Sequence, residues 1–150
     1  MKKVIIILFI ISSSCLAQFK LNYSDIQNKY GLENVEKYTE TFEQNKILND
    51  SILGNFNFTK KDSLLVHIFL KKNSGISENQ FKKFVDEYFE IFNADKIKRY
   101  ENSLFYYDEK RKILIAKVFE LSSSNKITEI WLTIDKKTID GFLPVFEPGH

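Results

Sequence analysis

An α+β fold, in which a curved antiparallel sheet packs on an amphipathic helix, is the architecture this sequence predicts. Three observations predict it. Residues 77–92 repeat apolar side chains at helical spacing behind a capping box. Residues 97–146 alternate apolar and polar side chains between turn-rich interruptions, the pattern of an antiparallel meander. Residues 64–70 (LLVHIFL) are apolar at nearly every position, as expected of a strand covered on both faces. The chain has 150 residues, 43% of them apolar, with 5 Gly and 2 Pro. That is the length of one domain, and it excludes collagen-like and Pro/Gly-rich disordered classes.

The elements follow in chain order. Met1-Lys2-Lys3, the apolar run Val4–Ile11 and the small, polar stretch Ser12–Gln18 have the order of a bacterial secretory signal peptide. The apolar run is shorter than the about 20 residues that a bilayer span needs. Residues 1–17 are therefore read as a signal peptide, cleaved after Ala17, and residues 18–150 as a single globular domain with no membrane span. The expected destination is the periplasm or the medium. The alternative is a lipoprotein anchored at Cys15, although Ser12 stands where a lipobox usually carries Leu.

Loss of the leader alters the charge balance. Without Lys2 and Lys3 the 22 basic residues fall to 20, equal to the 20 acidic ones. A domain without net charge has no long-range attraction for nucleic acid or anionic lipid, so neither is expected as a partner. The single Cys and single Met, Cys15 and Met1, both lie in the leader. Thiolate catalysis, thiolate metal sites and disulfides are thereby excluded from the mature chain.

Ser24-Asp25 opens a short helix that runs to Tyr30 and stops at Gly31. From Glu33 to Asn49, Val35, Tyr38 and Phe42 fall near helical spacing and predict a second helical stretch, although residues 38–42 also alternate like a strand. Phe56–Thr59 pairs with the strand at 64–70 across a turn at Lys60-Lys61-Asp62. Ser77 and Gln80 form the capping box of helix 77–92, flanked by Ile76 and Phe81 at the staple positions. Phe81, Phe84, Val85, Tyr88, Phe89 and Phe92 then make one strongly aromatic face.

Turns at Asp108–Arg111, Ser122–Asn125 and Asp135–Thr138 divide residues 97–146 into four strands. As four-residue loops they set Tyr107 against Lys112, Leu121 against Lys126 and Ile134 against Ile139. One face then collects Leu104, Tyr106, Ile113, Ile115, Phe119, Leu121, Ile130, Leu132, Ile134, Ile139, Leu143 and Val145, the core face beneath the helix. Pro144 lacks an N–H, which makes the last strand an edge. The other face collects Phe105, Tyr107, Leu114, Ala116, Val118, Glu120, Ile127, Glu129, Trp131, Thr133, Asp140, Phe142 and Phe146. An aromatic face of that size needs a cover: the N-terminal segment, a second subunit or a ligand.

Chemistry-bearing residues are sparse. His67 stands on a strand with Leu65 and Phe69, either as a general base in a pocket or as a half-buried histidine with one hydrogen-bond partner. The absence of any motif around it favours the second reading. Glu120 and Glu129 lie on the aromatic face, where a carboxylate can have a raised pKa, or near the hairpin end, where water solvates it. There is no H-E-x-x-H, C-x-x-C, EF-hand or Gly-rich phosphate loop, so no metal, cofactor or catalytic residue is assigned.

An aromatic-striped helix followed by a meander that closes on Ile139-Asp140-Gly141-Phe142 resembles the cystatin-like rolls, the nuclear-transport-factor-two-like group being the nearest. The resemblance spans residues 77–146 and rests on element order. It implies a sheet wrapped round a helix to leave an apolar pocket, in a group with many exported bacterial members. The catalytic Asp/His pairs of that group have no matching positions here.

The function expected from these readings is that of an exported, non-catalytic binding or interaction domain. Its surface would be Phe105, Tyr107, Trp131 and Phe142, with Glu120 and Glu129 orienting a small ligand or an envelope protein. The alternatives are a structural subunit of an envelope assembly, dimerising through the same face, and a small hydrolase or isomerase with His67 or Glu120 as base.

Overall fold

In the computed structural model, which describes residues 19–20, 22–30, 35–37, 41–48 and 52–148, eight antiparallel strands form one sheet with helices on both faces. The expected leader, residues 1–17 with Cys15, lies outside the described residues. The order is α1 (Tyr23–Tyr30), β1 (Val35–Lys37), β2 (Thr41–Leu48), β3 (Ile52–Thr59), β4 (Leu65–Ile76), α2 (Glu78–Tyr88), β5 (Lys96–Tyr100), β6 (Ser103–Asp108), β7 (Ile113–Glu120), β8 (Ser123–Thr133), α3 (Lys136–Phe142) and a 3-10 turn, Leu143–Phe146. Across the sheet the strands run β1-β2-β3-β4-β8-β7-β6-β5. Among the described residues the sheet is open, and β1 and β5 are its outer strands.

The main core lies between the sheet and the pair α1 and α2. The capping box forms as expected: the Gln80 N–H donates to Ser77 Oγ at 3.2 Å, and the Ser77 N–H donates to Gln80 Oε1 at 3.0 Å. Val85, Tyr88 and Phe89 then reach Phe56, Ile68, Leu70, Ile115, Ile130 and Leu132 in one buried cluster. The Tyr88 hydroxyl, fully buried, meets the Tyr30 hydroxyl at 2.9 Å, and Tyr30 also donates to Glu87 Oε1 at 2.7 Å. Burial therefore pushes the Tyr88 phenol far above its ordinary pKa. The N-terminal edge is fixed by Phe19, whose ring stacks on Phe89 at 4.7 Å.

Several expectations need correction. Residues 35–37 and 41–48 are strands, so the alternation in that stretch outweighs its loose helical spacing. Asn22, not Ser24, caps α1: its side chain accepts from the Asp25 N–H at 3.0 Å, and Asp25 returns a bond to the Asn22 N–H at 2.9 Å. Helix α2 stops at Tyr88, because Phe89 turns to an extended conformation. The first strand of the expected meander is two strands, split at Glu101, which adopts a positive φ of 51°.

The register departs from the four-residue loops in instructive ways. Tyr107 pairs with Leu114, not Lys112, a shift that keeps every side chain on its expected face. The β7–β8 register holds from Leu114↔Thr133 to Val118↔Glu129, then slips at bulges. Those bulges rotate Ile127 into the main core and leave Leu121 at the tip, 91% exposed. A further bulge between Asn57 and Phe58 turns Leu65 into the core, away from the face that His67 shares with Phe69. Near the end of β4, Gly75 has a φ of 98°, and an added Cβ would meet Lys126 Cγ at 3.2 Å.

The last expected strand, 139–146, is absent. Asp135 is an N-cap, not a turn residue: its carboxylate accepts from the Thr138 N–H and hydroxyl, each at 2.8 Å. Residues 136–142 are α3, and Pro144 sits in the first turn of the 3-10 segment. Ile139, Leu143 and Val145 therefore leave the main core and join the other face.

Candidate functional site

Cross-strand register builds the second sheet face in rows. One row runs Asn57, His67, Thr133, Leu114, Tyr107. The next runs Asn55, Phe69, Trp131, Ala116, Phe105. The C-terminal segment covers only the β6–β7 half of these rows. Ile139, Phe142, Leu143, Val145 and Phe146 pack on Phe105, Tyr107, Leu114 and Ala116. The Phe105 and Phe142 rings lie 5.3 Å apart, and those of Tyr107 and Phe146 5.8 Å apart. The aromatic face is thus covered from within the chain, by a segment the sequence reading placed in the sheet.

Where that cover ends, a cavity of about 170 Å³ opens between α3 and strands β4, β8, β7 and β6. Phe69, Phe105, Leu114, Ala116, Trp131 and Phe142 form its apolar walls, and His67, Thr133 and Thr138 are its polar side chains. Trp131 is 39% exposed and stands 6.0 Å from the Phe69 ring. Of the polar groups, Thr133 Oγ1 donates to the Val66 carbonyl at 3.2 Å and accepts from the Asp135 N–H at 3.0 Å. Thr138 is committed to the Asp135 cap.

His67 differs from both. It is half-buried, and among the described residues its imidazole makes no hydrogen bond. Burial pulls its pKa below the ordinary value, and the negative charge of Asp135 only partly opposes that. The ring is therefore neutral at pH 7, with a free donor and a free acceptor. Asp135 itself lies below the usual carboxylate range: burial would raise it, but the two bonds from Thr138 and the nearby His67 and Lys137 outweigh burial.

Phe105, Trp131 and Phe142, expected as site residues, come together at this cavity. Trp131 and Phe142 do so across a sheet–helix junction, not as a cross-strand pair. Tyr107 is 1% exposed beneath Phe146 and is core. Glu129 pairs with Lys71 at 3.0 Å and Glu120 with Lys126 at 3.2 Å, and neither lines the cavity. Phe69 and Thr138 were not singled out by sequence, and Thr133 was read only as a member of the aromatic face. Phe69 was legible from its alternation with His67; Thr138 was hidden by the reading of residues 135–138 as a turn.

Comparison with known proteins adds little. No family model and no curated protein matches the chain. Among solved structures, a cysteine-rich secretory protein from Staphylococcus aureus is similar at a TM-score of 0.46 and 10% identity, over 87% of this chain and 50% of that one. The chain spans about half the length of that protein, and the likeness is too low to inform function. Among the described residues, no helix is long and apolar enough to cross a membrane, and no group of three or more His, Cys, Asp or Glu side chains is placed to hold a metal ion.

Proposed function

We propose that this protein is an exported, non-catalytic binding domain that holds a small ligand in the cavity beside α3. The carrying observation is the cavity itself: apolar, walled by aromatic rings, and set where the cover of the second sheet face ends. A catalytic reading is weaker. His67 is the titratable side chain in the lining, and Glu120, the other candidate base, is paired elsewhere. An envelope subunit that uses the same face as its interface is also less favoured, since Ile139, Phe142, Leu143, Val145 and Phe146 already cover the β6–β7 half of that face.

Export is part of the same proposal. Phe19 is 3% exposed, and the Lys20 N–H donates to the Tyr88 carbonyl at 2.9 Å, so both residues belong to the packed domain. Cleavage after Ala17 would leave that packing intact. A lipid on Cys15 would be tethered to Phe19 by only about 10–15 Å of extended chain. The intact mass of the secreted product is expected to begin at Gln18; a diacylglyceryl mass on Cys15 would establish the anchored form instead. The kinship to cystatin-like rolls is likewise a proposal, supported by α2 leading into β5–β8, with α3 in place of the closing strand.

Binding is tested by titrating the mature domain with benzene and toluene while following Trp131, the only Trp. A saturable change in emission is expected. Trp131→Ala should weaken binding at least tenfold by calorimetry with little change in Tm, because Trp131 is partly exposed. Ala116→Leu, which fills the cavity from its floor, should block binding independently. Unchanged affinity in both variants, or no response of the wild type, overturns the proposal.

A further inference from the structure

We propose that the cavity selects a small neutral phenol, its ring against the aromatic walls and its hydroxyl on His67; this rests on the binding-domain reading above. Size comes first. A cavity of about 170 Å³ is close to the ~150 Å³ apolar cavity that holds one benzene ring, so a single ring with one or two substituent atoms fits and a fused polycycle does not. The walls come next. Phe69, Phe105, Trp131 and Phe142 approach from the sheet and from α3, an arrangement that favours an aromatic guest over a flexible chain through ring–ring contact.

Polar capacity narrows the class further. Thr133 and Thr138 have spent their hydroxyls on Val66 and Asp135. Among the lining side chains, His67 is the one that offers both a donor and an acceptor; Trp131 has only its indole N–H to give, and Thr138, whose proton goes to Asp135, can only accept. One hydroxyl, able both to donate and to accept, matches one neutral imidazole in either tautomer. Charge excludes the nearest competitors. No Lys or Arg lines the cavity, and Asp135 lies close enough to act electrostatically on the imidazole. A carboxylate would therefore be desolvated beside a negative charge without a cationic partner. An ammonium would feel the Asp135 charge but, because no carboxylate lines the cavity, would be desolvated there without a direct anionic partner.

A matched series tests this: p-cresol, toluene, 4-methylbenzoate and 4-methylbenzylamine, titrated at pH 7.5 into the mature domain. Trp131 emission and the His67 ring resonances by NMR are followed together. We expect p-cresol to bind about three- to tenfold more tightly than toluene, the increment of one hydrogen bond, and both charged analogues to bind at least tenfold more weakly than p-cresol. The His67 resonances should shift with p-cresol and scarcely with toluene. His67→Leu should retain toluene binding and reduce the p-cresol preference below about twofold, the lost increment being that same hydrogen bond. Equal binding of toluene and p-cresol in the wild type, or a preference that survives His67→Leu, overturns the phenol assignment while the binding domain stands. So does tightest binding by either charged analogue. Absence of any response at millimolar concentration overturns the binding-domain reading as well.

Discussion

Asp108 and Lys117 are the charged side chains buried among the described residues, and the fold handles them differently. Asp108 accepts from the Asn93 N–H at 3.0 Å, from the Arg111 N–H at 2.9 Å and from the Arg111 guanidinium at 2.9 Å. Burial alone would raise its pKa; these donors outweigh burial and hold it below the usual carboxylate range. A depressed folded pKa stabilises above the unfolded value of about 3.9 and loses that effect as pH falls through the folded value. Asp108→Asn is therefore expected to cost about 1–3 kcal/mol in urea melts at pH 7, with the gap to wild type narrowing under acid conditions. Lys117 instead lies 4.1 Å from the Phe81 ring centroid and pairs with Glu78 at 2.6 Å. The lysine side chain is 6% exposed, but that of its partner is 68% exposed. Removing the glutamate strands a buried cation, whereas removing the lysine leaves a solvated carboxylate. Glu78→Gln should thus destabilise by about 1–3 kcal/mol and Lys117→Met by less than about 1 kcal/mol. Equal melting points for the two variants would refute the asymmetry.

At the level of elements, α3 turns a sheet face into a second core. Its seven residues are too few for helical periodicity to show, and Ile139, Phe142, Leu143 and Val145 suit a strand just as well. The decisive signal was Asp135 placed three residues before Thr138, an N-cap that also reads as turn chemistry. The helix 77–92 was legible because capping box, staple and stripe agree over more than two turns. The hairpin faces were legible because they depend on parity, which survives the altered β6–β7 loop; parity fails only where bulges insert, at Ile127 and Leu65. Of the expected site residues, Phe105, Trp131 and Phe142 line one cavity. Glu120 and Glu129 pair with lysines outside that lining, which sequence alone does not show because it does not reveal which lysine lies opposite. Two substitutions probe α3 itself. Asp135→Ala should cost about 1 kcal/mol through the lost cap. Ile139→Ala, at a residue 2% exposed, should cost about 2–4 kcal/mol. If Ile139→Ala melts like wild type, α3 does not close the second core.

For the whole molecule the two layers are unequal. The main core joins α1, α2 and the sheet through residues such as Ile26, Leu70, Ile115 and Ile130, each fully buried. The second core is smaller and rests on one short helix and a 3-10 turn. Strand β8 is paired on both sides, by β4 and β7, whereas among the described residues β5 is paired only by β6. Opening free energy follows buried contacts and pairing, so regions of one domain need not open together. Native-state hydrogen exchange is expected to be slowest in β8, β4 and β7, fastest in β5, and intermediate in α3, whose amides should exchange by a partial opening that leaves the main core closed. That opening would uncover Phe105 and Phe142 together and give a ligand its route into the cavity. A bound ligand must then stabilise the closed form by mass action against every opening that destroys the cavity, and so slow exchange in α3 and, through global unfolding, in β8 by the same factor, while leaving the fraying of β5 unchanged. Saturation with p-cresol, or with toluene if the phenol assignment fails, should slow α3 and β8 but not β5. Equal protection of α3 and β8 in the free protein would instead mean that both layers unfold as one unit, and entry would have to occur past the exposed edge of Trp131.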